Sequence, residues 1–95
     1  MMEKQPAIYM LASKPHGTLY IGVTSDLCSR VSLHKQKLHS GFTAKYSVDK
    51  LVHFEFHDSM EHAIRREKQL KEWRRAWKIR PIEEFNPPWL DKFAE

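Results

Sequence analysis

A single cysteine, Cys28, in 95 residues rules out an intramolecular disulfide and a cysteine-rich zinc site, and makes a reducing compartment the default expectation. Glycine is nearly as scarce. Gly17, Gly22 and Gly41 cannot build a glycine-rich phosphate loop, and no Gly-x-Ser-x-Gly elbow occurs, so nucleotide hydrolysis and acyl transfer have no motif behind them. No window approaches the roughly 18 apolar residues needed to span a bilayer. The amino-terminal Met1-Met2-Glu3-Lys4-Gln5-Pro6 has no long apolar run behind it, and the chain reads as soluble and cytoplasmic, without a membrane partner. Repeats, low-complexity tracts and Gly-, Ser- or Pro-rich linkers are all missing, so residues 1–95 are expected to form one domain. A chain this short buries about 60–65% of the surface it exposes when unfolded, which leaves little room for an enclosed substrate cavity. An active site should therefore be a surface groove.

What the sequence does have is positive charge in one place. Sixteen Lys and Arg oppose twelve Asp and Glu. Residues 65–80 carry eight of those cations against Glu67 and Glu72, a local excess of +6 that leaves the remainder at −2. Such a segment fits either a polyanionic partner such as nucleic acid or a solvated helix face.

The order of elements follows from periodicity. Ala7-Ile8-Tyr9-Met10-Leu11-Ala12 and residues 18–23 are β-prone runs separated by a turn containing Pro15 and Gly17, and are expected to pair as an antiparallel hairpin. After Gly22 the period changes. Asp26 is a plausible N-cap, and Leu27, Arg30, Val31, His34 and Leu38 form the inner stripe of a helix that Gly41 ends, with a polar loop following. Val52, Phe54 and Phe56 alternate as one face of a third strand. Ser59 caps a second helix running from residue 60 into the mid-70s, broken or bent past Trp73, with Pro81 stopping it or starting another turn. Paired Pro87 and Pro88 forbid regular helix in the tail, residues 86–95, but Trp89, Leu90 and Phe93 are apolar enough to dock it on the domain.

Several polar residues fall where apolar ones would be expected. At about 100° per residue, Met60, Ala63, Ile64, Leu70 and Trp77 all project near Glu67, placing a carboxylate in an apolar stripe. A buried carboxylate needs a partner: an ion pair with Arg30 or Arg74, or a metal. Arg30 and His34 lie one turn apart on the inward side of the first helix. Either Arg30 snorkels and His34 is hydrogen-bonded in the core, or an Arg fork meets phosphate oxygens beside a His able to position water or donate a proton. Tyr9 and Tyr20 occupy facing strands, and Gly22 leaves open space beside the Tyr20 hydroxyl; core packing and a shared cavity are both compatible with that placement. His16, His39, His53, His57 and His62 show no zinc-ligand arrangement.

Taken in order, Ala7-Ile8-Tyr9, Tyr20-Ile21-Gly22, Arg30-x-x-x-His34 and Glu67 resemble the GIY-YIG nuclease domain. Gly41-Phe42-Thr43-Ala44-Lys45-Tyr46, Leu51-Val52 before Phe54-Glu55, and Asn86-Pro87-x-Trp89 are similar to its small stand-alone bacterial members, relatives of the incision domain of the UvrC repair nuclease. The resemblance implies an α+β fold, a three-stranded antiparallel sheet flanked by helices, and a phosphodiester hydrolase that uses Mg²⁺ or Mn²⁺ and no small-molecule cofactor. It implies Glu67 as the sole protein metal ligand, Tyr9 as general base, Tyr20 as its assistant in ordering water, Arg30 at the scissile phosphate, and His34 at a position the family fills with His or Tyr. The partner would be nucleic acid, in the first instance DNA, with Lys45, Lys68, Lys71, Arg75 and Lys78 along its backbone. Ala7 stands where the family usually has Gly, which matters only if that position faces the substrate groove. No base-reading motif is present, so any cutting should be structure-selective or weakly specific. A non-catalytic nucleic-acid-binding module would keep the charge without needing the inward Glu67; a protein adaptor would expose aromatic surface near Trp73 and Trp89.

Overall fold

Strand β1 (Ala7–Ala12) has no residue that can face water, because every side chain along it is apolar or aromatic, and it lies in the middle of the sheet. The computed structural model describes residues 4–94. β2 (Leu19–Thr24) and β3 (Lys50–Phe56) flank β1 in the order β2-β1-β3, both antiparallel to it. Alternation sends Ile8, Met10 and Ala12 to one face, where they pack with Ile21, Ala63, Leu70, Ile82 and Trp89. Tyr9 and Leu11 go to the other, with Val31, Val48 and Leu51. The fold is thus α+β, a three-stranded antiparallel sheet with helices around it, as the sequence predicts.

The hairpin closes through Ser13 N–H donating to Thr18 O at 3.1 Å and Gly17 N–H donating to Lys14 O at 2.9 Å. Helix α1 (Leu27–Lys35) is capped by Asp26, whose carboxylate accepts from Ser29 N–H. It ends well before Gly41, a departure from the expected boundary. Lys37 turns left-handed at φ 61°, its N–H donating to His34 O, while Leu38 N–H donates to Leu33 O. This pair of bonds is a Schellman stop with lysine in the place glycine usually takes. Leu38 is consequently 69% exposed and leaves the inner stripe. Gly41, rather than ending a helix, starts one. Helix α2 (Gly41–Tyr46) is capped by Ser40, and it replaces the polar loop that composition predicts.

β3 does not keep its alternation. Pairing passes from Met10↔His53 to Leu11↔Leu51, so Val52 is the extra residue of a bulge. Val52 then packs with the Met10 face and Phe54 against the Tyr9 face, while Phe56 is exposed. Helix α3 (Met60–Glu72) begins at Ser59 as predicted, its hydroxyl accepting from His62 N–H. Its inner line is narrower than the sequence predicts: Ala63 and Leu70 are buried and Ile64 is exposed. Trp77 belongs to a different helix and is 56% exposed. The chain breaks at Trp73, where ψ is 150°, and helix α4 (Arg75–Phe85) carries Pro81 in its interior instead of stopping there. The cost is one missing intrahelical donor for the Trp77 carbonyl.

Beyond α4, the Asn86 amide donates to Val52 O and Leu90 O and accepts from Leu90 N–H, which turns Trp89 back into the Met10 core. Leu90 itself is exposed, contrary to its expected docking role. Asp91 accepts from Leu51 N–H and from Lys35 Nζ, tying this segment to β3 and α1. A short 3-10 turn (Lys92–Ala94) follows. On the outer face, Glu55 receives two bonds from the Arg66 guanidinium, at 3.0 and 3.1 Å, and lies 2.8 Å from His53 Nε2. His57 Nε2 is 3.5 Å from the same carboxylate, so His53 on β3 and His57 just past its end both face the Glu55–Arg66 ion pair.

Two stability predictions follow from these contacts. Replacing Lys37 by Gly keeps the left-handed conformation and removes its cost to a side-chain-bearing residue, about 1 kcal/mol, so K37G should melt a few degrees higher. Burial opposes ionisation of Glu55, but hydrogen bonds from His53 and Arg66 outweigh it and hold the carboxyl at about 2. Because the folded value is depressed, this contribution is full above the ordinary carboxyl range and is lost as pH falls toward 2. In acid titrations followed by circular dichroism, E55Q should be less stable than the parent at neutral pH and should lose less stability between pH 5 and 2.

Candidate active site

Tyr9 and Gly22 are direct partners across the β1–β2 ladder. A Cβ on Gly22 would lie 2.4 Å from both Cζ and Oη of Tyr9. The absence of a side chain at Gly22 is therefore what lets the Tyr9 ring cross β2, and the space expected beside Tyr20 is filled by Tyr9. The two tyrosine rings sit 6.3 Å apart.

From this position the Tyr9 hydroxyl meets α1. Its Oη is 2.9 Å from Nε2 of His34, a residue almost wholly buried. His34 Nδ1 is in turn 3.0 Å from the Thr43 hydroxyl on α2, and that hydroxyl donates to Ser40 O at 3.2 Å. The Tyr20 ring lies 5.2 Å from the imidazole, and His39 stacks edge-on against it at 4.6 Å. His39 Nε2 is also 3.5 Å from Arg30 Nη1, which holds the guanidinium over the same cluster.

Glu67 reaches the site from α3. Its side chain is 15% exposed, and its ion-pair partner is Lys71 at 3.1 Å, one turn along the same helix, not Arg30 or Arg74. Among the described residues no group of three or more His, Cys, Asp or Glu could hold a metal ion, so any cation here would rest on one carboxylate and keep most of its waters.

The charges of these groups bear on one another. Burial raises the Tyr9 phenol well above its ordinary value, with Tyr20 adding to the rise; a hydrogen bond and positive charge from Arg30 pull the other way, and Glu67 raises it further. Tyr9 is a protonated phenol at neutral pH. Burial lowers His34 to about 4, with His39 and Arg30 contributing, so its ring is neutral. His39 is lowered too, by burial and then by Arg30.

Tyr9, Tyr20, Arg30 and His34 thus form one cluster, with Glu67 close enough for its charge to act on Tyr9. The proposed nucleic-acid contacts are more scattered. Lys71 and Lys78 line a shallow pocket with Leu19, Tyr20 and Ile21, beside Glu67. Lys68 is exposed on α3. Arg75 is committed elsewhere: its Nη2 donates to His16 O and Gly17 O and braces the hairpin turn. Lys45 lies on α2 with its ammonium 5.3 Å from the Tyr46 ring centroid, next to the exposed Phe42 and Tyr46. Sequence reasoning missed Thr43, whose signal was the Ser40-x-x-Thr43 spacing of a helix start, and set His39 aside. It also overlooked that residues 27–48 carry Arg30, Lys35, Lys37 and Lys45 with no carboxylate.

A sheet in the order β2-β1-β3 with tyrosines on its two hairpin strands, an Arg and a His on the following helix and a Glu on a later one is the arrangement of a nuclease-type fold. Residues 5–80 match the family model described as the GIY-YIG catalytic domain, and the chain belongs to that family, whose domain is generally a nuclease domain. It is 37% identical over 71 residues to a protein of Syntrophus aciditrophicus (strain SB) named "UPF0213 protein", a match covering 74% of this chain and 80% of that one. No solved structure matches. No described helix is long and apolar enough to cross a membrane.

The close approach at Gly22 makes a local prediction. Gly22→Ala should displace the Tyr9 ring, since neither the backbone of β2 nor the central strand can yield cheaply. We expect a destabilisation of about 1–3 kcal/mol, read from urea unfolding, together with loss of the Tyr9–His34 contact, read from the His34 ring resonances.

Proposed function

We propose that the protein is a divalent-metal-dependent endonuclease that hydrolyses phosphodiester bonds in DNA, with structure-selective or weakly specific cutting. The observation that carries this reading is the 2.9 Å contact between the Tyr9 hydroxyl and His34 Nε2, set beside Arg30 and within the electrostatic reach of Glu67. A phenol held protonated is a poor base by itself. It becomes a competent one if its own proton leaves as it accepts another. Tyr9 is fully buried in the free protein, so substrate binding must uncover its hydroxyl; as water then attacks phosphorus, Tyr9 Oη takes the water proton and passes its phenolic proton to His34 Nε2, which is free to receive it because the ring is neutral. Tyr20 helps to order the water, and Arg30 stabilises the charge that develops on the non-bridging phosphate oxygens.

Glu67 fits a hard cation: it is a largely enclosed carboxylate with only an exposed lysine as partner, and its oxygens suit Mg²⁺ or Mn²⁺. Such an ion, when bound, supplies Lewis-acid stabilisation of the leaving oxygen. Lys71 moves off the carboxylate in that event and, with Lys45, Lys68 and Lys78, contacts the phosphate backbone. Arg75 braces the hairpin through Nη2 alone and is exposed, so its remaining donors can join them. The cytoplasm is the compartment such a substrate and a lone exposed thiol both suit.

The test is nicking of supercoiled and branched DNA by the purified protein with Mg²⁺ or Mn²⁺. Cutting should disappear with a chelator and fall about 100-fold or more in a folded Glu67→Gln variant that still binds DNA. Binding without cutting by the parent under either metal would replace this reading with a non-catalytic binding module. The acid limb of kcat/KM should also lie well below pH 6, because His34 accepts a proton only when neutral and its value is lowered to about 4. A limb near the ordinary histidine value would remove His34 from the proton path.

A further inference from the structure

Two nitrogens of His34 meet two hydroxyls, and a neutral imidazole has one proton to place between them. With the proton on Nδ1, His34 donates to Thr43 Oγ1, Thr43 donates to Ser40 O, and Tyr9 donates to Nε2, so all three observed contacts are hydrogen bonds. With the proton on Nε2, the Thr43 hydroxyl must turn to Nδ1 and abandon Ser40 O. The Tyr9 proton then has no acceptor among the described residues, although Tyr9 has no exposed surface. Bond counting favours the first arrangement.

We propose that Thr43 is a positioning residue that sets the His34 tautomer: by donating to Ser40 O, its hydroxyl can only accept from Nδ1, which keeps Nε2 open to receive the proton of Tyr9. Thr43 touches no substrate. Its effect passes through His34, as a hydrogen bond on one ring nitrogen decides the state of the other. The local fold holds it for this. The Ser40 hydroxyl accepts from Thr43 N–H, Ser40 O accepts from Ala44 N–H, and Val48 N–H donates to Thr43 O, so the short helix is fastened at both ends. Thr43 itself is buried, and its methyl is not what the contact uses. Burial and the charges of His39 and Arg30 keep the ring neutral, so one proton is shared out and the choice of nitrogen is a real one.

The effect on turnover rests on the endonuclease reading, but the tautomer does not. It can be read from the ¹⁵N shifts of the His34 ring at pH 7 in the full-length protein without any substrate. The parent should show a protonated Nδ1 and an unprotonated Nε2. Thr43→Ser, which keeps the hydroxyl, should show the same pattern; Thr43→Val, which keeps the shape, should shift population toward the Nε2–H form. For nicking, T43V should lose about 10- to 100-fold in kcat with KM nearly unchanged, and T43S should retain most of the activity. A parent ring protonated on Nε2, or a folded T43V with the parent tautomer, overturns the proposal whether or not DNA is cut. If the parent shows the Nδ1–H form and T43V loses it while no variant cuts, the positioning role stands and the endonuclease reading fails.

Discussion

The molecule is arranged around one steric fact: the Tyr9 ring leaves the central strand across a residue with no side chain. Because both edges of β1 are paired and both its faces covered, Tyr9 has no other exit. Crossing Gly22 carries its hydroxyl to the face where α1 lies, and the helix meets it with His34. Thr43 and Ser40 extend the contact into α2, so a chain of polar groups runs through otherwise apolar packing with each member supplied with a partner. Such a chain is tolerable in a core only when it is complete. Removing Gly22's vacancy would break it at its first link.

The opposite face does a different job. There Glu55, Arg66 and His53 tie β3 to α3, and Asn86 folds the carboxyl-terminal segment so that Trp89 enters the Met10 core. This division alters how the positive charge should be counted. Arg66 is spent on Glu55 and Arg75 on the hairpin carbonyls, so the excess of residues 65–80 is less available to a polyanion than its arithmetic implies. In compensation, the uniformly basic residues 27–48 lie on the side of the sheet that holds Tyr9 and His34. The field around the cluster comes from both halves of the chain.

Most of the architecture was legible in the sequence because it rests on local signals. Asp26 and Ser59 cap helices where a short polar side chain precedes an apolar period, and the two hairpin strands show unbroken β-prone runs. What escaped are features decided by tertiary contact. The bulge at Val52 breaks the alternation of β3 for the sake of pairing with Met10 and Leu11, and no residue at that point announces it. Lys37 stops α1 in a conformation associated with glycine, so the helix looked longer than it is. The site was legible as a set of residue types and illegible as a network. Spacing placed Arg30 and His34 on one face and Glu67 inward, yet the Lys71 partner, the His39 contact to Arg30 and the Thr43 link all needed coordinates.

The site also joins parts of very different firmness. β1 is paired on both edges and covered above and below, so its amides can exchange with solvent only when the whole domain opens. Tyr9 is mounted on that strand, and His34 is locked to it. Arg30 and Glu67 are instead the half-buried ends of long side chains, and the neighbours that hold them, His39 and Lys71, are exposed. Proton movement would take place on the least mobile element of the molecule, while the groups that must adjust to an incoming phosphate are the ones free to rearrange. A rigid anvil with compliant jaws needs no separate lid.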